Sequence, residues 1–176
     1  MCGIVGYIGK RDAAPILMEG PHRLEYRGYD SAGIAVARAG ELRVAKCKGR
    51  VRELDKLLPQ RFKGSPGIAH TRWATHGEPS DRNAHPHCDG ANHIAVVHNG
   101  IIENAAALKA RLVADGVTFK SETDTEVVAH LIAAMPESSL YEAVRAALRL
   151  VTGTYALAVL DDVEIGRYPE YTHAHA

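Results

Sequence analysis

Several absences bound this chain before any motif is read. Lys+Arg and Asp+Glu are equal at 21 each, so there is no net charge and no overall electrostatic footprint for nucleic acid or an anionic membrane surface. Neither partner is expected. No segment approaches the ~20 apolar residues of a membrane span, and the N-terminal apolar run, broken by Gly3, Gly6 and Gly9, lacks the basic leader and longer core of a secretory signal. Cysteine is scarce. Cys2, Cys47 and Cys88 are an odd number without Cys-x-x-Cys spacing, which argues against a disulfide framework and a ribbon-type zinc site and fits a reducing cytoplasm. Repeats and low-complexity segments are also missing. What remains is a chain of 176 residues, 46% apolar and 24% charged, enough for one domain with a sizeable core and no covalent staples.

The pattern of apolar residues predicts clustered strands separated by helices. Gly3 to Ile8 reads as a short buried strand with Cys2 at its tip. Ala13 to Tyr26 has roughly helical spacing, with Gly20-Pro21 expected to kink or divide the helix. Ile34 to Ala37 and Leu42 to Lys48 suit a hairpin across Ala39-Gly40-Glu41, and Val51 to Phe62 an amphipathic helix. Ile68 to Thr71 and Ile94 to Val97 are further strands, each running into a polar loop, and Ser80 to Asn92 reads as an ordered loop. Helices are expected from about Glu103 to Ala114, from near Asp124 and over Ser139 to Val151, followed by a strand at Tyr155 to Leu160. Strands in pairs, without strict β-α alternation, favour an α+β layering of helices on antiparallel sheets.

Cys2 taken alone reads first as a small buried apolar residue. Its position offers a second reading. If Met1 is removed, Cys2 carries both a thiol and a free α-amine; such groups ordinarily titrate within about one unit of each other, so proton transfer between them is nearly thermoneutral. Asn99-Gly100 could form a tight turn, or supply donors to an oxyanion at a strand end. Arg72 suits an α-carboxylate, and Asp124 either an α-ammonium or the cap of the following helix. His85-Pro86-His87-Cys88 offers possible metal ligands but no second pair at fixed spacing, so loop-orienting histidines are preferred and no metal or cofactor is called for.

Assembled in order, these stretches resemble the glutaminase domain of the glucosamine-6-phosphate synthase family, glutamine amidotransferases of the N-terminal-nucleophile class. The resemblance rests on Met1 to Gly6, Leu24 to Gly33, Gly67 to Gly77, Asn83 to His87, Val97 to Asn104 and Ser121 to Glu126. It implies a four-layer αββα sandwich of two antiparallel sheets, with a glutaminase domain at 1–162. That domain is expected to be incomplete at its C-terminal end, and 163–176 forms a tail with no match. It also implies hydrolysis of L-glutamine through a thioester on Cys2, with Asn99 and Gly100 as oxyanion hole. Arg72 would hold the glutamine carboxylate and Asp124 its ammonium; Thr75, His76 and Gly77 would close over the substrate, and Trp73 would stand at the entrance of the ammonia passage. Arg27 and His85 would orient neighbouring loops. The sugar-isomerase domain that uses the ammonia would be missing, and a homodimer stays open. The rival reading is an inactive glutamine-binding or partner-docking fragment.

Overall fold

The computed structural model describes residues 2–25, 30–58, 62–73, 77–136 and 139–162. Seven strands among them form two antiparallel sheets. In the first, β1 (Gly3–Tyr7), β4 (Gly67–Arg72), β2 (Ser31–Arg38) and β3 (Glu41–Lys48) lie in the order β1-β4-β2-β3; in the second, β6 (Ile94–Ile102) lies between β5 (His87–Cys88) and β7 (Gly153–Asp161). Helices α1 (Ala13–Leu24) and α2 (Val51–Leu57) belong to the first half, and α3 (Ala105–Ala114), α4 (Asp124–Ala133) and α5 (Leu140–Leu148) to the second.

Three clusters of buried side chains show the layering. Leu17, Met18, Val51 and Leu54 pack with Ile34, Val36 and Ala69 between the first sheet and its helices. Val127, Val128, Leu131 and Ile132 pack with Val96 and Ile102 between the second sheet and its helices. The third cluster, Ala35, Ala37, Ile68, Ala95, Val97 and Leu160, lies between the sheets, where alanines allow two pleated surfaces to approach closely. This is the expected αββα sandwich. Among the described residues, no helix is long and apolar enough to cross a membrane.

Period-two alternation then fixes which side chains enter the gap between the sheets. Ile4, Ile68, Ala95 and Val97 face it, so Cys2, His70, Arg72 and Asn99, each an even number of positions along the same strand line, share that face. The site therefore forms at one end of the gap.

Several local expectations differ from the structure. β6 does not stop at Val97 but runs to Ile102, with Asn99 opposite Ala156 and Gly100 opposite Tyr155, so Asn99-Gly100 is strand and not a hairpin turn. The ladder to β7 overrides the local turn preference of that dipeptide. α2 ends at Leu57, short of Phe62. Pro21 sits inside α1 without dividing it.

Candidate active site

At the tip of β1, Cys2 Sγ accepts a hydrogen bond from the Trp73 backbone N–H at 3.1 Å and lies 3.5 Å from the Trp73 carbonyl. The thiol is thus held against the end of β4. Across the gap, Asn99 Nδ2 donates to the Cys2 carbonyl at 3.3 Å, and Asn99 Oδ1 lies 2.9 Å from His70 Nε2. Gly100 follows with φ of 132°, and a Cβ there would come within 2.0 Å of the Thr154 carbonyl oxygen. Only glycine fits this position.

Arg72, 4% exposed, donates from Nη2 to the Gly77 carbonyl at 3.1 Å, with Asp30 Oδ1 4.0 Å from Nη1. The guanidinium is thereby held in place at the wall of the cavity. Asp124 is not the cap of the helix that follows it. Thr123 is the N-cap, its Oγ1 accepting the Glu126 N–H, whereas Asp124 is the first helical residue. Its Oδ2 accepts the Ile102 N–H at 2.9 Å, while Oδ1 stands 3.8 Å from His98 Nδ1. The carboxylate reaches from α4 to the end of β6.

Cys2, Arg72, Trp73, His85, His98, Asn99, Gly100, Thr123, Asp124 and Thr125 line one cavity of about 250 Å³. That is just below the range of pockets for drug-sized ligands and suits a small polar molecule. A thiol, an amide donor, a guanidinium and a carboxylate converge on it. Trp73 stands at its rim, 58% exposed. Of the remaining expected site residues, Gly77 touches Arg72 directly, whereas Arg27, Thr75 and His76 lie outside the described residues.

At and behind the cavity wall lies a layer of buried histidines, of which the sequence signalled only His85 as part of the site. His85 Nδ1 accepts the His98 backbone N–H at 3.3 Å, so its proton is on Nε2, 3.3 Å from Thr125 Oγ1. The Thr125 hydroxyl is also 3.0 Å from His98 Nδ1. His87 Nε2 meets Thr123 Oγ1 at 3.0 Å. These partners are hydroxyls and backbone, and among the described residues no group of three or more His, Cys, Asp or Glu is arranged to hold a metal ion. Burial lowers the proton affinity of these rings, His70 to about 4, His87 to about 3 and His85 well below the usual histidine range. They are neutral at pH 7.

Lys46 was not foreseen either. Its half-buried side chain donates from Nζ to the carbonyls of Arg82, Ala84 and Pro86 at 3.2, 2.8 and 3.2 Å, tying the loop that carries His85 to β3. Gly33 lets that loop lie on the sheet, since a Cβ would come within 2.1 Å of the His85 carbonyl. Burial pushes Cys88 up to about 11 and raises Cys47, so neither is disposed to act as a thiolate.

Two facing antiparallel sheets between helices, with a thiol at the tip of the first strand, define the sandwich of the N-terminal-nucleophile amidotransferases. Comparison with known proteins gives the same class. The family model described as the glutamine amidotransferase domain matches residues 70–167, and the chain belongs to that family. The glutamine--fructose-6-phosphate aminotransferase (isomerizing) of Symbiobacterium thermophilum is 58% identical over 161 residues, 91% of this chain and 26% of that protein. Its counterpart from Clostridium acetobutylicum is 54% identical over 165 residues, 93% of this chain and 27% of that protein. The chain thus spans about a quarter of the length of these curated relatives. Among solved structures, the glutamine phosphoribosylpyrophosphate amidotransferase of B. subtilis, complexed with ADP and GMP, superimposes with a TM-score of 0.79. The two are 32% identical, and the match covers 92% of this chain and 35% of that one.

Proposed function

We propose that this chain hydrolyses L-glutamine to glutamate and ammonia with Cys2 as nucleophile. The observation that carries the reading is the meeting, around one cavity, of the Cys2 thiol, the Asn99 amide, the Arg72 guanidinium and the Asp124 carboxylate. Arg72 holds the α-carboxylate of glutamine and Asp124 its α-ammonium, which leaves the side-chain amide directed at Cys2. With Met1 removed, the Cys2 α-amine takes the thiol proton as sulfur adds to the amide carbon.

Negative charge then develops on the amide oxygen, where the Asn99 side chain and the Gly100 backbone N–H stabilise it. Collapse breaks the carbon–nitrogen bond. The Cys2 α-ammonium returns its proton to the leaving nitrogen, so ammonia departs and a γ-glutamyl thioester remains on Cys2. Water adds to the thioester, the same amine accepts its proton, and glutamate leaves with the thiol regenerated. Thr75, His76 and Gly77 cover the substrate during these steps, Trp73 borders the route of the ammonia, and Arg27 and His85 orient the neighbouring loops.

In the longer proteins that this chain resembles, the ammonia would aminate fructose 6-phosphate on a sugar-isomerase domain. We assign residues 1–162 to the glutaminase domain. Glutamate release by the purified chain, measured beside Cys2→Ala, tests the reading, with intact mass spectrometry reporting whether Met1 is removed. The expected result is turnover that Cys2→Ala abolishes; equal rates in the two proteins overturn the assignment.

A further inference from the structure

We propose that His70 is the positioning residue that aims the Asn99 side-chain amide at Cys2, a role that rests on the glutaminase reading above. An amide group can be turned end for end at almost no change in shape, so something must choose which end faces the thiol. Here the choice is made from the opposite sheet. His70 lies on β4, is fully buried, and places Nε2 2.9 Å from Asn99 Oδ1 on β6. A carbonyl oxygen only accepts, so Nε2 must carry the proton.

With its oxygen held by His70, Asn99 turns its NH2 group toward Cys2. One N–H is used on the Cys2 carbonyl at 3.3 Å, and the second is left for the oxyanion. The reversed amide would point an acceptor at the place where negative charge develops. It would also face His70 Nε2–H with a second donor.

The His70 ring is itself fixed. It stacks on the His85 ring at 4.3 Å between centroids and 29° between planes, and His85 is pinned by the His98 N–H and by Thr125. Lys46 holds the His85 loop, and Gly33 admits it against the sheet. A chain of contacts thus runs from Lys46 through His85 and His70 to the amide. Of Lys46, His85, His70 and Asn99, His85 and Asn99 line the cavity, whereas Lys46 and His70 do not.

Two measurements on the full chain test the proposal. Long-range proton–nitrogen NMR of the 15N-labelled protein is expected to show His70 as the neutral Nε2–H tautomer from about pH 8 down to about pH 6, with the Asn99 side-chain amide protected from exchange. The Nδ1–H tautomer, or an imidazolium at about pH 6, overturns it. The second measurement is glutamate release by His70→Leu and His70→Gln, the latter keeping an N–H donor at similar reach. His70→Leu is expected to lower kcat about 10- to 100-fold with KM for glutamine nearly unchanged, and His70→Gln to recover most of the loss. A loss in His70→Leu that falls on KM, or a folded His70→Gln no better than His70→Leu, overturns the role. A parent chain without turnover overturns the glutaminase reading instead, and the tautomer measurement then decides the His70–Asn99 bond by itself.

Discussion

In the reaction proposed above, Asn99, Asp124 and Arg72 divide the chemistry at the residue scale between transition state and substrate. There Asn99 would act only once charge develops, so Asn99→Ala is expected to lower kcat about 100- to 1,000-fold with little change in KM. Asp124→Asn keeps an acceptor for the Ile102 N–H at 2.9 Å but loses the charge offered to an ammonium. A charge-assisted hydrogen bond is worth about 1.5–3 kcal/mol, so KM for glutamine should rise roughly 10- to 100-fold with kcat largely kept. Steady-state kinetics separate the two outcomes; a kcat effect in Asp124→Asn equal to that of Asn99→Ala would contradict the division. The sequence made these residues visible as types but not as partners. Asp124 was equally a cap until Thr123 was seen to hold that place, and Asn99-Gly100 carried a turn signature that pairing with β7 overrides. His70 was missed because its meaning lies in a contact with Asn99, 29 positions away on the other sheet.

The element that concentrates polar burial is the junction of the 80–88 loop with the start of α4. Burial alone would raise the Glu126 carboxyl, yet hydrogen bonds from His130, Ser121 and the backbone N–H groups of Lys120 and Ser121 outweigh it and hold it at about 2. The Ser121 and Lys120 N–H groups lie 2.6 and 2.8 Å from its oxygens. An unfolded histidine takes a proton near ~6.5, whereas His70 does so near about 4 and His87 near about 3. Between those values the unfolded chain binds more protons, so stability is whole above about pH 6.5 and is lost as pH falls, by about 1.4 kcal/mol per pH unit for each ring. Glu126 adds a second loss between about 4.3, its unfolded value, and about 2. Urea titrations at stepped pH should show the unfolding free energy falling by roughly 3 kcal/mol per unit between about pH 6 and about pH 4. A flat profile from pH 7 to 5 would contradict buried neutral histidines. Lys46→Met, which leaves three carbonyls without their shared donor, is expected to cost about 2–3 kcal/mol, read from the same titration at pH 7. Helix α4 itself was legible, since Thr123 and Glu126 stand at capping-box spacing. The Lys46 clamp was not, because the carbonyls it binds carry no side-chain signature.

For the whole molecule, the division of labour follows the two sheets. The first contributes Cys2, His70 and Arg72 from β1 and β4; the second contributes Asn99 and Gly100 from β6, with Asp124 from the helix above it. The proposed chemistry draws on both sheets, which Ala35, Ala37, Ala95 and Val97 pack closely together. The layering could be read from strand and helix periodicity, but which ends of which strands meet could not, because register is set by pairing across the chain. The central claim is that sulfur of Cys2 bonds to the side-chain carbon of glutamine. Acid quenching during turnover, followed by intact and peptide mass spectrometry, tests it directly. An adduct with the mass of glutamine less ammonia is expected on the Cys2 peptide and absent from Cys2→Ala. Glutamate release without any such adduct, undiminished in Cys2→Ala, would contradict it.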